Sequence, residues 1–179
     1  MRDLVPFPGD VAFAALRVRA GARRAGGVLR CVWKLDGARA GLHLPPPSAV
    51  PRRADRLWEE TCCEAFVAPA AGAAYWELNL APSGDWNLYR FSGYREDMRW
   101  EERVAGLVDV ATTTTADGWR LEAGIDLQAL PELAAAPLEV GLSVVLAGAG
   151  RSFRALAHPA ARADFHDRAA FMLRLGAAA

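Results

Sequence analysis

The sequence lacks an excess of charge of either sign. It has 21 basic and 21 acidic residues, and no block of like charge occurs along it. Proteins that bind nucleic acids or anionic membrane surfaces usually present a basic patch to the phosphates. We therefore expect neither a nucleic-acid partner nor a membrane partner.

Long hydrophobic runs are missing as well, although 53% of the residues are hydrophobic. No window approaches the roughly 18 consecutive apolar residues of a membrane-spanning helix. The opening residues, MRDLVPFPGD, lack the apolar run of a secretory signal. We therefore expect a soluble cytoplasmic protein. A chain of 179 residues also predicts a single domain over residues 1–179 with one sizeable core.

Cysteine is scarce and has no metal-ligand spacing. The three cysteines are Cys31, Cys62 and Cys63, and a cytoplasm would keep them reduced. Cys62 and Cys63 are neighbours, so on a strand their side chains point to opposite faces and cannot serve one site. We predict that all three are small packing residues rather than nucleophiles.

Helical periodicity is also absent, because no segment repeats apolar residues about every 3.6 positions over about three turns. Short alternating segments separated by turn residues predict an all-β fold, an antiparallel β-sandwich of the jelly-roll or immunoglobulin-like kind. Residues 38–55 are too rich in proline for a central strand, and residues 127–133 predict one helical turn. Strands are predicted at residues 11–20, 28–35, 61–67, 104–115, 119–125 and 138–146, in a hairpin over 75–94 and in two pieces of the tail 151–175.

The hairpin over residues 75–94 belongs to the stretch 56–100, which holds four of the six tryptophans and all three tyrosines. We predict a four-residue loop at 82–85. The register then pairs Ala81 with Trp86, Asn79 with Leu88, Glu77 with Arg90, Leu80 with Asn87, Leu78 with Tyr89 and Trp76 with Phe91.

This register predicts one apolar face and one open, polar and aromatic face. A Glu77–Arg90 pair would be costly to desolvate, so its face should be open or groove-like. Trp86 should then be an exposed platform, whereas Trp76 should be core. The apolar face carries Trp76, Leu78, Leu80, Asn87, Tyr89 and Phe91, and the open face carries Tyr75, Glu77, Asn79, Trp86, Leu88, Arg90 and Tyr94.

The tail holds a second group of polar side chains, His158, Asp164 and His166. These types can ligate a metal ion, or they can form a hydrogen-bonded clasp that holds the last loop. Met98 with a histidine could ligate haem, although no haem-attachment motif occurs. Glu59 and Glu60 are adjacent, so on an extended chain they diverge and do not suit paired acid–base catalysis.

Three motifs are similar to those of DOMON-like proteins related to family 9 carbohydrate-binding modules. They are W-E-x-T-C-x-E-A-F from Trp58, Y-W-E-x-N-x-x-P-S-G-x-W-N from Tyr75, and H-P followed by D-F-H from His158. The resemblance implies a jelly-roll-like sandwich whose relatives bind sugars or haem. Phe153-Arg154 departs from the Tyr-Trp expected there, so no stacking role is carried over to those positions.

Two function classes follow from the motifs and the polar residues. The first is a non-catalytic protein that binds a carbohydrate by stacking sugar rings on aromatic side chains and hydrogen-bonding their hydroxyls. The second is a small-molecule, haem or metal-binding protein, with an enzyme among the options, on the same sandwich. No cofactor is expected for the carbohydrate-binding class. The candidate ligand-binding residues are Trp58, Tyr75, Glu77, Asn79, Trp86, Arg90, Tyr94, Arg95, His158, Asp164 and His166.

The first prediction concerns secondary structure. Circular dichroism should show mostly β structure, because alternation of apolar and polar residues dominates the chain. A helix content above about a third, the average of globular proteins, would contradict the sandwich.

Overall fold

The computed structural model describes residues 1–177. The last two residues of the predicted domain lie outside this range. Helices make up 7% of the structure and strands 47%, so the all-β prediction is confirmed. Within the described range, the strands are Arg2–Asp3 (β1), Val5–Pro6 (β2), Arg17–Ala25 (β3), Val28–Asp36 (β4), Cys62–Pro69 (β5), Tyr75–Leu80 (β6), Trp86–Phe91 (β7), Arg99–Trp100 (β8), Val108–Thr114 (β9), Gly118–Asp126 (β10), Leu138–Ala147 (β11), Arg151–Ala155 (β12) and Leu173–Leu175 (β13), and the helical pieces are Pro131–Ala134 (α1) and the 3-10 turns Leu57–Glu59, Leu127–Ala129 and Arg168–Ala170.

Two antiparallel sheets form the sandwich. The five-stranded sheet has the order β1-β3-β4-β10-β9, and the eight-stranded sheet has the order β2-β12-β11-β5-β6-β7-β8, with β13 also pairing with β11. Alternation along each strand sends one set of side chains between the sheets. In β4 this set is Leu29, Cys31, Trp33 and Leu35, each at most 1% exposed, as the alternation predicted.

The central hairpin exists, but its predicted register is wrong by one residue. Leu80 lies opposite Trp86 and Glu77 lies opposite Tyr89. The Gly84 amide donates to the Ala81 carbonyl at 2.9 Å, and the Ala81 amide donates to the Asp85 carbonyl at 2.8 Å. The loop therefore has three residues rather than four. Gly84 makes this possible because it adopts φ +90°, which other residues rarely reach.

The shifted register exchanges the faces of β7 while leaving those of β6 as predicted. Trp86 and Leu88 point into the core between the sheets, where Trp86 is only 5% exposed. The predicted Glu77–Arg90 pair does not form. Arg90 instead lies over the Trp76 ring at 5.4 Å and pairs with Glu132 at 3.7 Å.

The outer face of the eight-stranded sheet carries a second, smaller apolar cluster. It is covered by the segment between β12 and β13, which folds back over the sheet. This cover explains why β5, β6 and β7 are buried on both faces. The members of the cluster are Phe66, Ala68, Tyr75, Tyr89, Phe91 and Phe171, with Trp58 and Phe165 packed against it.

Two predicted strands begin later than expected. The strand predicted at 11–20 starts at Arg17, because the Leu16 amide closes a turn on the Phe13 carbonyl at 2.9 Å. The strand predicted at 104–115 is limited to Val108–Thr114. The proline-rich stretch 38–55 contains isolated bridges rather than a strand.

All three cysteines are buried free thiols, as predicted. Burial raises the pKa of the Cys31 thiol to about 12 and that of Cys62 well above its ordinary value, which makes both poor nucleophiles. Across residues 1–177, no helix is both long and apolar enough to cross a membrane.

The second prediction concerns the two central tryptophans. Trp76→Ala and Trp86→Ala should each lower the free energy of unfolding by roughly 3–5 kcal/mol, because each deletes a buried indole from the core. Trp100→Ala is the matched control: its side chain is 44% exposed, and a loss below about 1 kcal/mol is expected. Urea denaturation measures all three, and a Trp86→Ala protein as stable as Trp100→Ala would contradict the observed register.

Candidate ligand-binding site

A pocket of about 510 Å³ opens on the outer face of the eight-stranded sheet. Its floor is made by the sheet, and its walls come from three segments: the 3-10 turn before β5, the loop between β7 and β8, and the cover between β12 and β13. The lining residues are Trp58, Glu64, Glu77, Phe91, Arg95, Met98, Val145, Arg151, Phe153, Ala163, Phe165 and His166.

Strand register brings two carboxyl groups to the floor. Glu64 of β5 lies opposite Asn79 of β6, so Glu77 is its diagonal neighbour on the same face. Glu64 is 3% exposed and Glu77 is 5% exposed. Ser143 donates to Glu64 Oε2 at 3.3 Å, and Asn79 donates to Glu77 Oε1 at 2.9 Å.

Both carboxyl groups bind protons more tightly than in water. Burial raises the pKa of Glu77 to about 7, against the lowering effects of the Asn79 hydrogen bond and of Arg95. Burial and the neighbouring Glu77 raise the pKa of Glu64 well above its ordinary value. Like charges in a dry site disfavour ionisation of both, so the pair holds at least one proton near neutral pH.

His166 lies against the floor from the covering segment. Its Nδ1 is 2.7 Å from the Tyr75 hydroxyl, and its Nε2 is 3.7 Å from Glu77 Oε2. The Tyr75 oxygen also accepts from the Arg95 amide at 3.2 Å, which favours a hydroxyl proton directed to Nδ1 and a ring proton on Nε2. Burial and Arg95 lower the pKa of His166 to about 4, so the ring is neutral at pH 7.

Asp164 joins the two loops that carry His166 and Arg95. Its carboxylate, with a side chain only 4% exposed, accepts from the Arg95 guanidinium at 2.9 Å, from the His166 amide at 3.1 Å and from the Tyr94 hydroxyl. Burial opposes ionisation, but these three donors lower the pKa of Asp164 below its ordinary value. This is the hydrogen-bonded clasp that was one of two options for the tail.

Aromatic rings form the apolar walls. Trp58 packs edge-on against Tyr89 at 5.6 Å, and the Tyr89 hydroxyl donates to Asp55. Phe165 packs against Phe153 at 6.2 Å. Rings from four parts of the chain, Trp58, Phe91, Phe153 and Phe165, therefore surround the two carboxyls.

The structure brings together eight of the eleven predicted site residues, in two different positions. Trp58, Glu77, Arg95 and His166 line the pocket. Tyr75, Asn79, Tyr94 and Asp164 support those residues through hydrogen bonds.

Trp86, Arg90 and His158 do not belong to the pocket. Trp86 and Arg90 lie on the opposite face of the sheet because the hairpin register differs by one residue. His158 lies outside the lining because its Nε2 hydrogen-bonds the Val5 carbonyl at 3.0 Å, which ties it to the N-terminal segment.

Sequence reasoning missed several lining residues. Glu64 had a readable signal, since it is a lone carboxylate in the apolar strand 61–67. Phe91 was placed on the wrong face by the register error. Arg151 and Phe153 have no local signal, because only the pairing of β11 with β12 brings them here. Phe165 stands in the D-F-H motif between two predicted site residues, but it was not itself predicted to line the site.

The geometry of the pocket gives little support to the metal-binding and haem-binding hypotheses. Within residues 1–177, no group of three His, Cys, Asp or Glu side chains is arranged to hold a metal ion. His158 is separated from Asp164 and His166 by its bond to Val5. Met98 does line the pocket, as His166 does, and its side chain is half-exposed.

The third prediction concerns pH. A carboxyl whose pKa is raised from 4.5 to about 7 by folding binds more protons when folded, so its contribution to stability is lost as pH rises through that window. The unfolding free energy of wild type minus that of Glu77→Gln should therefore fall by roughly 2–3 kcal/mol from pH 4.5 to 7.

His166 works in the opposite direction, since its lowered pKa makes stability rise with pH between about 4 and 6.5. This trend is common to both proteins and cancels in the difference. Glu102→Gln, which removes an exposed carboxyl outside the lining, controls for the substitution itself. A difference between wild type and Glu77→Gln that stays constant over this pH range would contradict the raised pKa.

The fold is similar to those of two solved structures. A protein from Bacteroides uniformis, provisionally named a carbohydrate-binding protein, matches with a TM-score of 0.72 and 16% identity, over 99% of this chain and 85% of that one. A family 9 carbohydrate-binding module from Caldicellulosiruptor kristjanssonii, in complex with glucose, matches with a TM-score of 0.50 and 15% identity, over 94% of this chain and 80% of that one. No protein-family model and no curated protein matches the sequence. At these identities the likeness shows a shared β-sandwich fold.

Proposed function

We propose that the pocket on the outer sheet face binds a carbohydrate and that the protein is a non-catalytic sugar-binding protein. The observation that carries the proposal is the lining itself, in which planar rings surround buried hydrogen-bonding groups in a volume of about 510 Å³. Small-molecule sites typically have volumes of about 300–1,000 Å³ and combine apolar walls with a few placed polar groups.

The two kinds of lining group suit the two kinds of surface on a sugar ring. Trp58 is half-buried, so one part of its indole packs on Tyr89 and the rest remains available to the C–H face of a ring. Glu64 and Glu77 lie on the floor, His166 lies against it, and all three can exchange hydrogen bonds with hydroxyl groups. Arg95 and Arg151 add donors around them.

The structural neighbours support the same ligand class. One of them is a family 9 module in complex with glucose, and another carries a provisional carbohydrate-binding name. The three sequence motifs resemble DOMON-like relatives of that family, and we extend the proposal to membership of that group. What this chain shares with these neighbours is the fold, and its own pocket residues support the proposal independently.

The fourth prediction tests the pocket directly. Trp58→Ala should weaken sugar binding about tenfold or more, because the loss of an aromatic face typically removes about 1–3 kcal/mol of contact. The Trp100→Ala variant, whose exposed indole is outside the lining, should bind like wild type. Titration calorimetry against a panel of monosaccharides and disaccharides measures both, with intrinsic fluorescence as a second readout.

Three outcomes would count against the proposal. Equal weakening by the two tryptophan variants would place the sugar elsewhere. No binding by wild type across the panel would remove the carbohydrate function. A protein that purifies coloured and loses its colour on His166→Ala would instead favour the haem-binding alternative.

A further inference from the structure

The pocket floor has two buried carboxyl groups but no cation of its own. Glu64 and Glu77 are 3% and 5% exposed and both line the pocket. Each has one oxygen to which no described residue donates: Glu64 receives its bond on Oε2 from Ser143, and Glu77 receives its bond on Oε1 from Asn79. A buried carboxylate without a charged partner is costly, so such a pair is unusual outside a site that serves a ligand.

The positive groups near the floor are engaged elsewhere. The Arg95 guanidinium donates to Asp164 at 2.9 Å, and its side chain is 48% exposed. Arg151 is exposed and donates to the Glu59 backbone carbonyl. His166 is neutral near pH 7, and its Nε2 is 3.7 Å from Glu77, beyond hydrogen-bond distance.

The other groups that face the pair are uncharged. Cys62 of β5 donates to Asn79 Oδ1 at 3.4 Å, and its thiol is fully buried. Tyr75 of β6 keeps its proton at neutral pH, because burial raises the pKa of its hydroxyl to about 12. Ser143 approaches from β11. The charge of Arg95 lowers the pKa of both carboxyls, but its guanidinium bonds to Asp164, so no cation among the described residues bonds directly to the pair and burial keeps it partly protonated.

We propose that this floor selects sugars that carry a free primary amino group, an inference that rests on the proposed carbohydrate function. The ammonium group of an amino sugar has three donors and one positive charge. It can donate to the two carboxyl oxygens that lack donors, while its ring lies between the aromatic walls. A neutral sugar can occupy the same walls, but it brings no charge to the floor.

Proton balance follows from the chemistry of the pair. Before binding, the two carboxyls hold at least one proton between them. When the ammonium enters, that O–H bond breaks, the carboxyl keeps the electron pair as a carboxylate, and the proton leaves to solvent. Binding of an amino sugar is therefore coupled to net proton release, whereas binding of a neutral sugar leaves the carboxyls protonated.

The experiment compares amino sugars with their neutral counterparts at about pH 6, where the amine is protonated. The probes are glucosamine against glucose, galactosamine against galactose, and mannosamine against mannose, with the N-acetyl derivatives as uncharged amide controls. At least one amino sugar should bind about tenfold or more tightly than its neutral and N-acetyl counterparts, as expected for charge-assisted hydrogen bonds. Calorimetry in buffers of different ionisation enthalpy should show proton release for that sugar alone.

Variants locate the effect on the floor. The double variant E64Q/E77Q should reduce the ratio of amino-sugar to neutral-sugar affinity to about one, because the amides carry no charge. Glu102→Gln, which removes one carboxyl group from an exposed position outside the lining, should keep the wild-type ratio. If the double variant does not fold, the proton count on wild type decides the question.

The results separate this inference from the proposed function. Neutral sugars that bind as tightly as amino sugars, or amino sugars that bind without proton release, overturn the amine selection and leave carbohydrate binding standing. A panel in which no sugar binds overturns both. Tight binding of an amino sugar with proton release, lost in the double variant and kept in Glu102→Gln, supports both.

Discussion

The site depends on the hydrogen bonds of one carboxylate, that of Asp164. It holds the covering segment to the loop after β7 through Arg95, Tyr94 and the His166 amide. A carboxylate that accepts three donors in a buried position orders every group that donates to it. Because His166 and Arg95 are both fixed in this way, one clasp sets two sides of the pocket and the approach of His166 to the floor.

The eight-stranded sheet has to satisfy two demands on its two faces. Its inner face packs against the five-stranded sheet through a mainly apolar core. Its outer face packs against the cover at one end, around Phe66 and Phe171, but remains open enough elsewhere to form the pocket. Glu64 and Glu77 lie on this face, where both line the pocket and are almost fully buried.

The two buried carboxyl groups on the floor therefore lower the stability of the folded protein. An apolar pair at these two positions would pack without the cost of desolvating carboxyl groups. Residues that break the local rule of an apolar buried strand are expected at functional sites. Under the proposed function, the walls and the floor would contribute differently to recognition: the rings would favour any flat apolar sugar face, whereas the carboxyls would distinguish one substituent from another.

Much of the fold follows from local pattern, but the arrangement of the site does not. Alternation alone predicted which residues of β4, β5 and β6 share a face, because side chains on a strand alternate regardless of what the strand pairs with. The side-chain types in the tail indicated a hydrogen-bonded clasp as one option, and Asp164 and the His166 amide take part in it, whereas His158 bonds elsewhere. The partners of each face were decided by tertiary structure: a positive φ at Gly84 shortened the hairpin loop by one residue and turned Trp86 and Arg90 inward. Likewise, Phe153 and Phe165 share a pocket with Trp58 only because distant segments pack together, and no local periodicity encodes such packing. The sequence by itself determined a β-sandwich and the types of side chain available to a site. The strand register and the covering segment decided which of those side chains face one another. They could do so only in the folded chain, because strand pairing depends on turn geometry and long-range packing rather than on alternation.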